Sequence, residues 1–337
     1  MSGHGGTVLM DGNAGTNFGD FARAFVGNLV FEIDPVFVSR NPGYSLAVTG
    51  GSGPPVVPPA VVPASSSRLV NLSVLTNIAV AGDNFTMGYV VGGAGTNGTK
   101  PVLIRAAGPT LGAAPFSLPG TLSDPKLEVF AGTTKTSEND NWGGTAALTT
   151  AFSSVGAFGY TGGASLDSAI VSTVSPGDNS VRVSANGSGT GTVIAELYDS
   201  VPSSNITATT PRLVNVSVLK NLGTGLTVGF VIDGTGAKKV LIRAVGPTLG
   251  TAPFNIIGVV ADPQLTLFAQ QNAVSSNDNW GGTAELTAAF AQVGAFPLPS
   301  TSRDAALLAT LQPGNYTVQV RGVGPTGIAI VEVYEVP

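Results

Sequence analysis

An internal duplication covers most of the 337-residue sequence. The motifs RLVN, VLIRA, GPTLG, NDNWGG and VGAF occur in this order within residues 68–199 and again within residues 212–335. Arg105 aligns with Arg243, and Trp142 aligns with Trp280, at the same spacing. A repeat of this length is a whole domain, because solenoid units are only about 20–45 residues long. The sequence therefore predicts two tandem domains of one fold.

Each repeat has the residue pattern of an all-β domain. Apolar residues alternate with polar ones in Leu69–Leu75 and Ser180–Ala185, and again in the matching segments of the second repeat. Turn-forming dipeptides such as Pro-Gly and Asn-Gly separate these segments. Only Ala146–Phe152 and Ala284–Gln292 have a helix-like pattern, of about two turns each. Roughly seven to nine short strands per repeat predict an all-β fold of two tandem, jelly-roll-like β-sandwiches.

The segments outside the repeats form an N-terminal arm and two linkers. The predicted boundaries are residues 1–49 for the N-terminal segment, 50–67 for a Pro/Gly/Ser-rich linker, 68–200 for the first sandwich, 201–211 for the second linker and 212–337 for the second sandwich. Phe21–Val38 is apolar but too short for a core of its own. We therefore expect it to pack onto a sandwich or to add a strand to a neighbouring subunit. The candidate donor residues are Phe25, Leu29, Phe31, Ile33, Val36 and Val38.

The composition excludes several classes of chemistry. The sequence has no cysteine and a single histidine, so thiol nucleophiles, zinc–thiolate sites and Ser-His-Asp catalysis are not expected. Only 10% of the residues are charged and the net charge is −5, which argues against a nucleic-acid partner. No apolar run is long enough to span a bilayer, and residues 1–20 lack the pattern of a secretory leader. We expect a protein that is not an enzyme and has no membrane span.

The motif NDNWGG occurs once in each repeat and is the sharpest candidate for a ligand site. Its oxygen-bearing side chains are candidate calcium ligands: Asp140, Asn141, Asp278 and Asn279. Its tryptophans, Trp142 and Trp280, are candidates for stacking on a sugar ring. The favoured interpretation is a set of Asx turns with a tryptophan closing the end of the sandwich, because calcium needs about six or more oxygens. No cofactor is therefore predicted, with calcium and a surface glycan as the alternatives.

Two arginines, Arg105 and Arg243, lie inside apolar strands and must be paired if they are buried. The acidic residues that recur with them, and that we expect as their partners in structural ion pairs, are Asp124 and Asp167 in the first repeat and Asp262 and Asp304 in the second. Glu196 and Glu332 alternate with apolar neighbours in the last strand of each repeat, so we expect them to face solvent. No pair of carboxylates stands out as the acid and base of a glycosidase.

The repeated motifs resemble those of a known kind of domain. VLIRAxGPTLG, NDNWGG and PGxYTVxVxGxGPTGxAxVEVYE resemble a repeated β-sandwich domain of large secreted and surface proteins of environmental, Verrucomicrobia-like bacteria. The terminal PGNYTVQV and VEVYE segments are also similar to the bacterial pre-peptidase C-terminal type of domain. The resemblance covers residues 68–335. It implies an extracellular β-sandwich and offers no catalytic residues.

Together these features favour a non-enzymatic structural protein at the cell surface. We expect a homo-oligomeric subunit of a filament or matrix, assembled by β-strand donation from the N-terminal segment. The alternative is a carbohydrate- or matrix-binding adhesive module that accompanies a secreted enzyme and uses Trp142 and Trp280. An enzyme with a carboxylate pair is the third hypothesis and ranks last.

Overall fold

The computed structural model describes residues 67–337, and the candidate donor residues lie outside this range. It confirms the all-β prediction, because sixteen strands form two antiparallel sheets of eight in the described range. The strands of the first repeat are β1 (Arg68–Ile78), β2 (Asn84–Gly92), β3 (Lys100–Ala107), β4 (Pro125–Ala131), β5 (Thr134–Asn139), β6 (Ser168–Val174), β7 (Gly177–Ala185) and β8 (Gly191–Asp199). Those of the second are β9 (Arg212–Asn221), β10 (Leu226–Asp233), β11 (Lys238–Val245), β12 (Pro263–Ala269), β13 (Asn272–Asn277), β14 (Ala305–Leu311), β15 (Gly314–Gly322) and β16 (Ile328–Glu335).

Short helices connect some of the strands. They are α1 (Pro109–Gly112), α2 (Ala146–Ser154) and α3 (Ala284–Val293), with 3-10 turns at Ser203–Asn205 and Pro247–Gly250. The helix-like sequence patterns are confirmed by α2 and α3. Each of these two begins after a threonine, Thr145 or Thr283, whose hydroxyl accepts a hydrogen bond from a backbone N–H three residues later. No helix within residues 67–337 is long and apolar enough to cross a membrane.

Each repeat has the strand order of a jelly roll. In the first repeat β1-β8-β3-β6 form one layer and β2-β7-β4-β5 form the other. The second repeat has the same order, with β9-β16-β11-β14 and β10-β15-β12-β13. Phe85, Met87, Tyr89 and Val91 of β2 are buried between the layers, because alternate residues of a strand face opposite sides. The jelly-roll-like sandwich is therefore confirmed for both repeats.

The two repeats are joined through both layers. β1 pairs with β10 and β2 pairs with β9, so each layer continues from one repeat into the other. We call the layer with β1 and β10 sheet A, the layer with β2 and β9 sheet B, and the paired strands the joint. Buried residues of both repeats, such as Leu72 and Phe230, belong to one core. The division into domains 68–200 and 212–337 stays a prediction, and the structure adds that the repeats share their sheets and their core.

The two halves of the joint are equivalent. Ser73 lies opposite Gly229 in one half, and Ser217 lies opposite Gly88 in the other. A Cβ atom on Gly229 would lie 2.5 Å from Ser73 Oγ, and one on Gly88 would lie 2.6 Å from Ser217 Oγ. Glycine therefore leaves room for the facing serine at both places. The repeats are related by an approximate two-fold axis through the joint.

Tyr89 is expected to reduce the stability of the core. Its hydroxyl is buried and has no hydrogen-bond partner within residues 67–337. Because such a group costs about 1–3 kcal/mol, Tyr89→Phe should raise the free energy of unfolding by about 1 kcal/mol, measured by urea denaturation at neutral pH.

Alkaline pH should enlarge this effect. Burial raises the pKa of Tyr89 above its ordinary value of 10.0, so the folded phenol stays protonated where the unfolded one ionises. The wild type then loses stability above about pH 10, and Tyr89→Phe should lose less, because only the remaining buried tyrosines, such as Tyr198, still contribute to the loss. Equal stability of the two proteins at neutral pH, or a difference that does not grow in alkali, would contradict this account.

Candidate functional site

A second, smaller core covers the outer face of each repeat. In the first repeat Trp142, Phe152 and Tyr160 pack on Leu103, which points outward from β3. We call residues 142–160 cap 1 and the matching residues 280–298 cap 2. Cap 2 packs on Leu241 of β11 in the same way. Strand residues that point away from the main core are therefore buried as well in these regions.

Cap 1 buries Arg105 with a glutamate. Arg105 Nη2 lies 3.1 Å from Glu196 Oε2, and Arg105 Nη1 donates a hydrogen bond of 2.5 Å to the Phe158 carbonyl. The guanidinium also lies 4.3–4.6 Å from the ring centroids of Phe152, Phe158 and Tyr160. Cation–π attraction of this kind is strongest where water is excluded, as it is here. Arg105 is thus paired with Glu196 rather than with Asp124 or Asp167.

The second repeat has the same pair. Arg243 Nε lies 2.8 Å from Glu332 Oε2, and Arg243 Nη1 donates to the Phe296 carbonyl at 2.6 Å. Glu196 and Glu332 are only 5% and 4% exposed, so the expectation that they face solvent is wrong. They do lie on the outer face of their sheets, but the caps cover that face.

Burial raises the pKa of two acid groups in this cluster, Glu196 and Tyr198. Desolvation raises the pKa of Glu196, and the Arg105 charge opposes that rise. The Tyr198 hydroxyl donates to Glu196 Oε1 at 2.7 Å, and burial raises the pKa of Tyr198. Arg105 has no exposed surface. The cluster therefore offers no group to a dissolved substrate, and its role is structural.

The aspartates predicted as arginine partners instead organise loops. Asp167 accepts hydrogen bonds from the N–H groups of Gly108 and Thr110, at 2.8 and 3.2 Å, and from the hydroxyls of Thr110 and Ser165. A Cβ atom on Gly108 would lie 1.9 Å from the carbonyl oxygen of Leu122, so only glycine fits there. These contacts explain the repeated GPT motif as the anchor of the loop that follows β3.

The other three aspartates, Asp304, Asp124 and Asp262, also bind groups other than the buried arginines. Asp304 accepts from the Gly246 N–H at 2.8 Å and from the Thr248 hydroxyl, as Asp167 does in the first repeat. Asp124 Oδ2 accepts from Asn186 Nδ2 at 3.0 Å. Asp262 Oδ2 lies 3.3 Å from Arg303 Nη1, an exposed arginine. Neither Asp262 nor Asp304 pairs with Arg243.

The tryptophans of the NDNWGG motifs belong to the caps. Trp142 is 7% exposed, lies 5.5 Å from the Phe152 ring and donates its indole N–H to the Gly162 carbonyl at 3.2 Å. Trp280 is 4% exposed and donates to the Pro299 carbonyl at 2.9 Å. Neither ring presents a free face on which a sugar could stack.

The polar residues of the same motifs bind the protein itself. Asn139 accepts from the Ala169 N–H at 3.0 Å and donates to the Asn141 carbonyl at 2.9 Å. Asp140 Oδ2 accepts from Asn186 Nδ2 at 3.1 Å. In the second repeat, the Asn277 side-chain amide donates to the backbone carbonyl of Asn279 at 3.0 Å. Asp278 lies between these two residues in the same loop. Within residues 67–337 no group of three or more Asp, Glu, His or Cys side chains is placed to hold a metal ion.

A charged cluster at the joint was not anticipated from the sequence. Its members are Arg68, Lys100 and Asp199 from the first repeat and Arg212, Lys238 and Glu335 from the second. Lys100 Nζ lies 2.6 Å from Asp199 Oδ2, and Arg212 Nε lies 2.6 Å from Glu335 Oε2. Burial lowers the pKa of Lys100 and of Lys238.

Three hydrogen bonds of this cluster join the two repeats directly or through the residue just before each repeat. Glu335 Oε1 accepts from the Leu69 N–H at 2.6 Å, and Lys100 Nζ donates to the Pro211 carbonyl at 2.7 Å. Arg212 Nη2 donates to the Ser67 carbonyl at 2.6 Å. The cluster therefore ties the repeats together beside the paired strands.

The outer strands of the two sheets each pair with a single neighbouring strand. β5 and β6 end the sheets at the first repeat, and β13 and β14 end them at the second. Charged residues are absent from β6, β13 and β14, whereas β5 contains Lys135 and Glu138. Val171 of β6 is 53% exposed and Val274 of β13 is 51% exposed. The uncharged runs SAIVSTV and AALLATL are the sequence signal for such strands.

Comparisons with known proteins do not assign a family. No protein-family model matches the chain, and no curated protein sequence matches it. Similar solved structures include the tandem CBM51 modules of Sp3GH98, the family 98 glycoside hydrolase from Streptococcus pneumoniae SP3-BS71, at a TM-score of 0.23 and 7% identity, covering 79% of this chain and 84% of that chain.

Two further structures are less similar by TM-score. One is PNGF-II, with a TM-score of 0.19 and 10% identity, covering 78% of this chain and 60% of that chain. The other is oxalate decarboxylase from Bacillus subtilis, with a TM-score of 0.15 and 6% identity, covering 79% of this chain and 68% of that chain. TM-scores of this size carry no argument about the function of this chain.

Proposed function

We propose that the protein is a non-enzymatic, extracellular structural subunit that assembles into a surface filament or matrix by β-strand addition. The observation that carries this proposal is the chemistry of the outer strands. Three of the four, β6, β13 and β14, have one edge that pairs with no strand and contain no charged side chain, although asparagine side chains occupy one N–H near the start of β6 and one near the start of β14. Open strand edges pair readily with another strand, and proteins that avoid this usually place lysine or proline there.

The joint between the repeats directs growth to those outer strands. Its two halves are equivalent, so the contact is a closed two-fold contact that uses up β1, β2, β9 and β10 within one chain. Further copies can therefore add only at the β5/β6 end or at the β13/β14 end. Two such ends on one chain are the geometry that a linear assembly requires.

The proposed added strand is the apolar N-terminal segment Phe21–Val38. The Pro-rich linker of residues 50–67 spans about 56 Å when extended, at about 3.1 Å per residue. The step from β1 to the outer strand β6 is three strand spacings, or about 14 Å. The linker is therefore long enough to place Phe21–Val38 at an edge of a neighbouring subunit.

Deleting residues 1–49 is expected to abolish assembly. The truncated chain should run as a monomer in size-exclusion chromatography with light scattering, and it should show no filaments in negative-stain microscopy. Deleting only residues 1–20 is the matched control, because it keeps the apolar segment and should leave assembly intact. Polymers formed by the chain without residues 1–49 would contradict strand donation.

A further inference from the structure

A cavity of about 470 Å³ opens on the outer face of sheet A, beside the joint. Its floor comes from three neighbouring strands and includes Asn71 of β1, Tyr198 of β8 and Val231 of β10. The linker after β8, with Pro202 and Ile206, forms one wall, and the end of α2 forms another. Small-molecule sites usually measure about 300–1,000 Å³. The cavity therefore has room for a mono- or disaccharide.

The charges around the cavity favour a neutral ligand. None of its lining residues, all of which lie within the described range, is Lys, Arg or His. An anionic ligand would therefore find no partner for its charge. Of the two carboxylates of the lining, Asp199 lies 2.6 Å from Lys100 and 3.7 Å from Arg68, so its charge is already paired. Asp233 is exposed at the end of β10, where solvent screens its charge. A cationic ligand therefore gains little.

The uncharged polar groups of the cavity are mainly hydroxyls. Ser200, the last residue of the first sandwich, and Ser203 and Ser204 of the linker supply three of them. Ser200 Oγ is buried and has no hydrogen-bond partner within residues 67–337. The Asn71 side chain is held in place by a 3.0 Å hydrogen bond to the Leu197 carbonyl. A buried hydroxyl without a partner calls for an explanation. Rotation of the Ser200 side chain to another staggered rotamer is the step that brings its hydroxyl to the cavity, where a ligand hydroxyl would complete its bonding.

The wall also has apolar surface next to these polar groups. Val155, Pro202 and Ile206 lie around the same space. A sugar ring presents C–H groups on its faces and hydroxyls at its edge, which matches this alternation. The geometry points to a binding site for a neutral, hydroxyl-rich ligand of mono- or disaccharide size, located at the joint and not at Trp142 or Trp280.

The second repeat lacks the key hydroxyl. Asn215 and Tyr334 hold the floor positions on sheet B that Asn71 and Tyr198 hold on sheet A. The residue that matches Ser200 is Val336, which packs into cap 2. Apolar packing therefore replaces the unpartnered hydroxyl there, and the site is assigned to the first repeat alone.

Saturation-transfer NMR on the full chain tests the site, since the method works on monomers and assemblies alike. The probes are a panel of neutral hexoses, pentoses and their disaccharides, with glucuronate and glucosamine as charged comparisons. We expect transfer to at least one neutral sugar, and at least tenfold weaker binding of the anion and the cation. No transfer to any neutral sugar, or tighter binding of a charged one, would overturn the assignment.

Three variants locate the binding. Ile206→Trp fills the cavity, and Ser200→Val introduces the side-chain chemistry of the second repeat, so each should weaken binding at least tenfold. Ala208→Trp, in the same linker but outside the lining, is the matched control and should bind as the wild type does. Thermal unfolding checks that each variant folds. Binding that survives Ile206→Trp in a folded protein would overturn the assignment. Deleting residues 1–49 should leave sugar binding unchanged, which separates this site from the proposed assembly.

Discussion

Replacing Arg105 with methionine should lower the free energy of unfolding by about 3–5 kcal/mol. The substitution leaves the Glu196 carboxylate buried without the cation that lies 3.1 Å away. It also removes the charge that packs against Phe152, Phe158 and Tyr160. Urea-induced unfolding at neutral pH, followed by circular dichroism, measures the change. Arg243→Met should cause a similar loss, because Arg243 is equally buried beside Glu332.

The double variant Arg105→Met/Glu196→Leu is the control. It removes both charges and fills their space with apolar groups, so most of the lost stability should return. A double variant no more stable than Arg105→Met would show that lost packing, and not the unpaired charge, causes the loss.

The same substitution tests whether the repeats unfold together. In a Trp142→Phe background, Trp280 is the remaining tryptophan and reports on the second repeat. Because both repeats share one core, Arg105→Met should lower the urea concentration at the midpoint of unfolding, measured by the fluorescence of Trp280. An unchanged Trp280 midpoint would mean that the repeats unfold independently.

Glu335→Gln should lower the free energy of unfolding by about 3 kcal/mol. The carboxylate is 5% exposed, pairs with Arg212 and Lys238 of its own repeat and accepts from the Leu69 N–H of the other repeat. An amide keeps the size of the side chain but leaves both cations without their counter-charge. Urea unfolding at neutral pH again measures the effect.

Glu285→Gln is the control for this prediction. Glu285 is an exposed residue whose carboxylate lies 3.9 Å from Lys239, and exposed pairs contribute about 0–1 kcal/mol. Its substitution should therefore change stability by less than about 0.5 kcal/mol. If Glu335→Gln has an effect as small as Glu285→Gln, the cluster does not hold the repeats together.

Features that depend on neighbouring residues could be predicted from the sequence. The alternation in Leu69–Leu75 indicates a strand because only residues two apart share a face. The helix-like pattern of Ala146–Phe152 corresponds to α2, which Thr145 caps. The duplication predicts that the second repeat has the same order of elements as the first. All of these inferences need only short stretches of chain.

The partner of Arg105 could not be predicted in this way. Arg105 meets Glu196 because the two face each other in the pairing of β3 with β8, and that register joins residues far apart in the sequence. Glu196 alternates with apolar neighbours and therefore has the pattern of a solvent-facing residue. Cap 1 covers this face, and no local pattern shows where a loop and helix will fold back.

The joint escaped prediction for a related reason. Within one repeat, β1 and β2 end their layers, and nothing in the sequence says that each will pair with a strand of the other repeat. The linker of residues 201–211 suggests two separate bodies, yet the carbonyl of Pro211 accepts from Lys100. Gly88 and Gly229 are the residues that permit the close pairing, and a glycine in a strand is a signal for close approach of another chain segment.

The equivalence of the two halves of the joint bears on how such a chain can arise. A single repeat carries both surfaces of the contact, so two copies of a one-repeat ancestor could have formed the same sixteen-stranded body as a symmetric homodimer. Fusion of duplicated genes makes that dimer intramolecular, and dilution no longer separates its halves. Each half is then free to diverge, as the difference between Ser200 and Val336 illustrates.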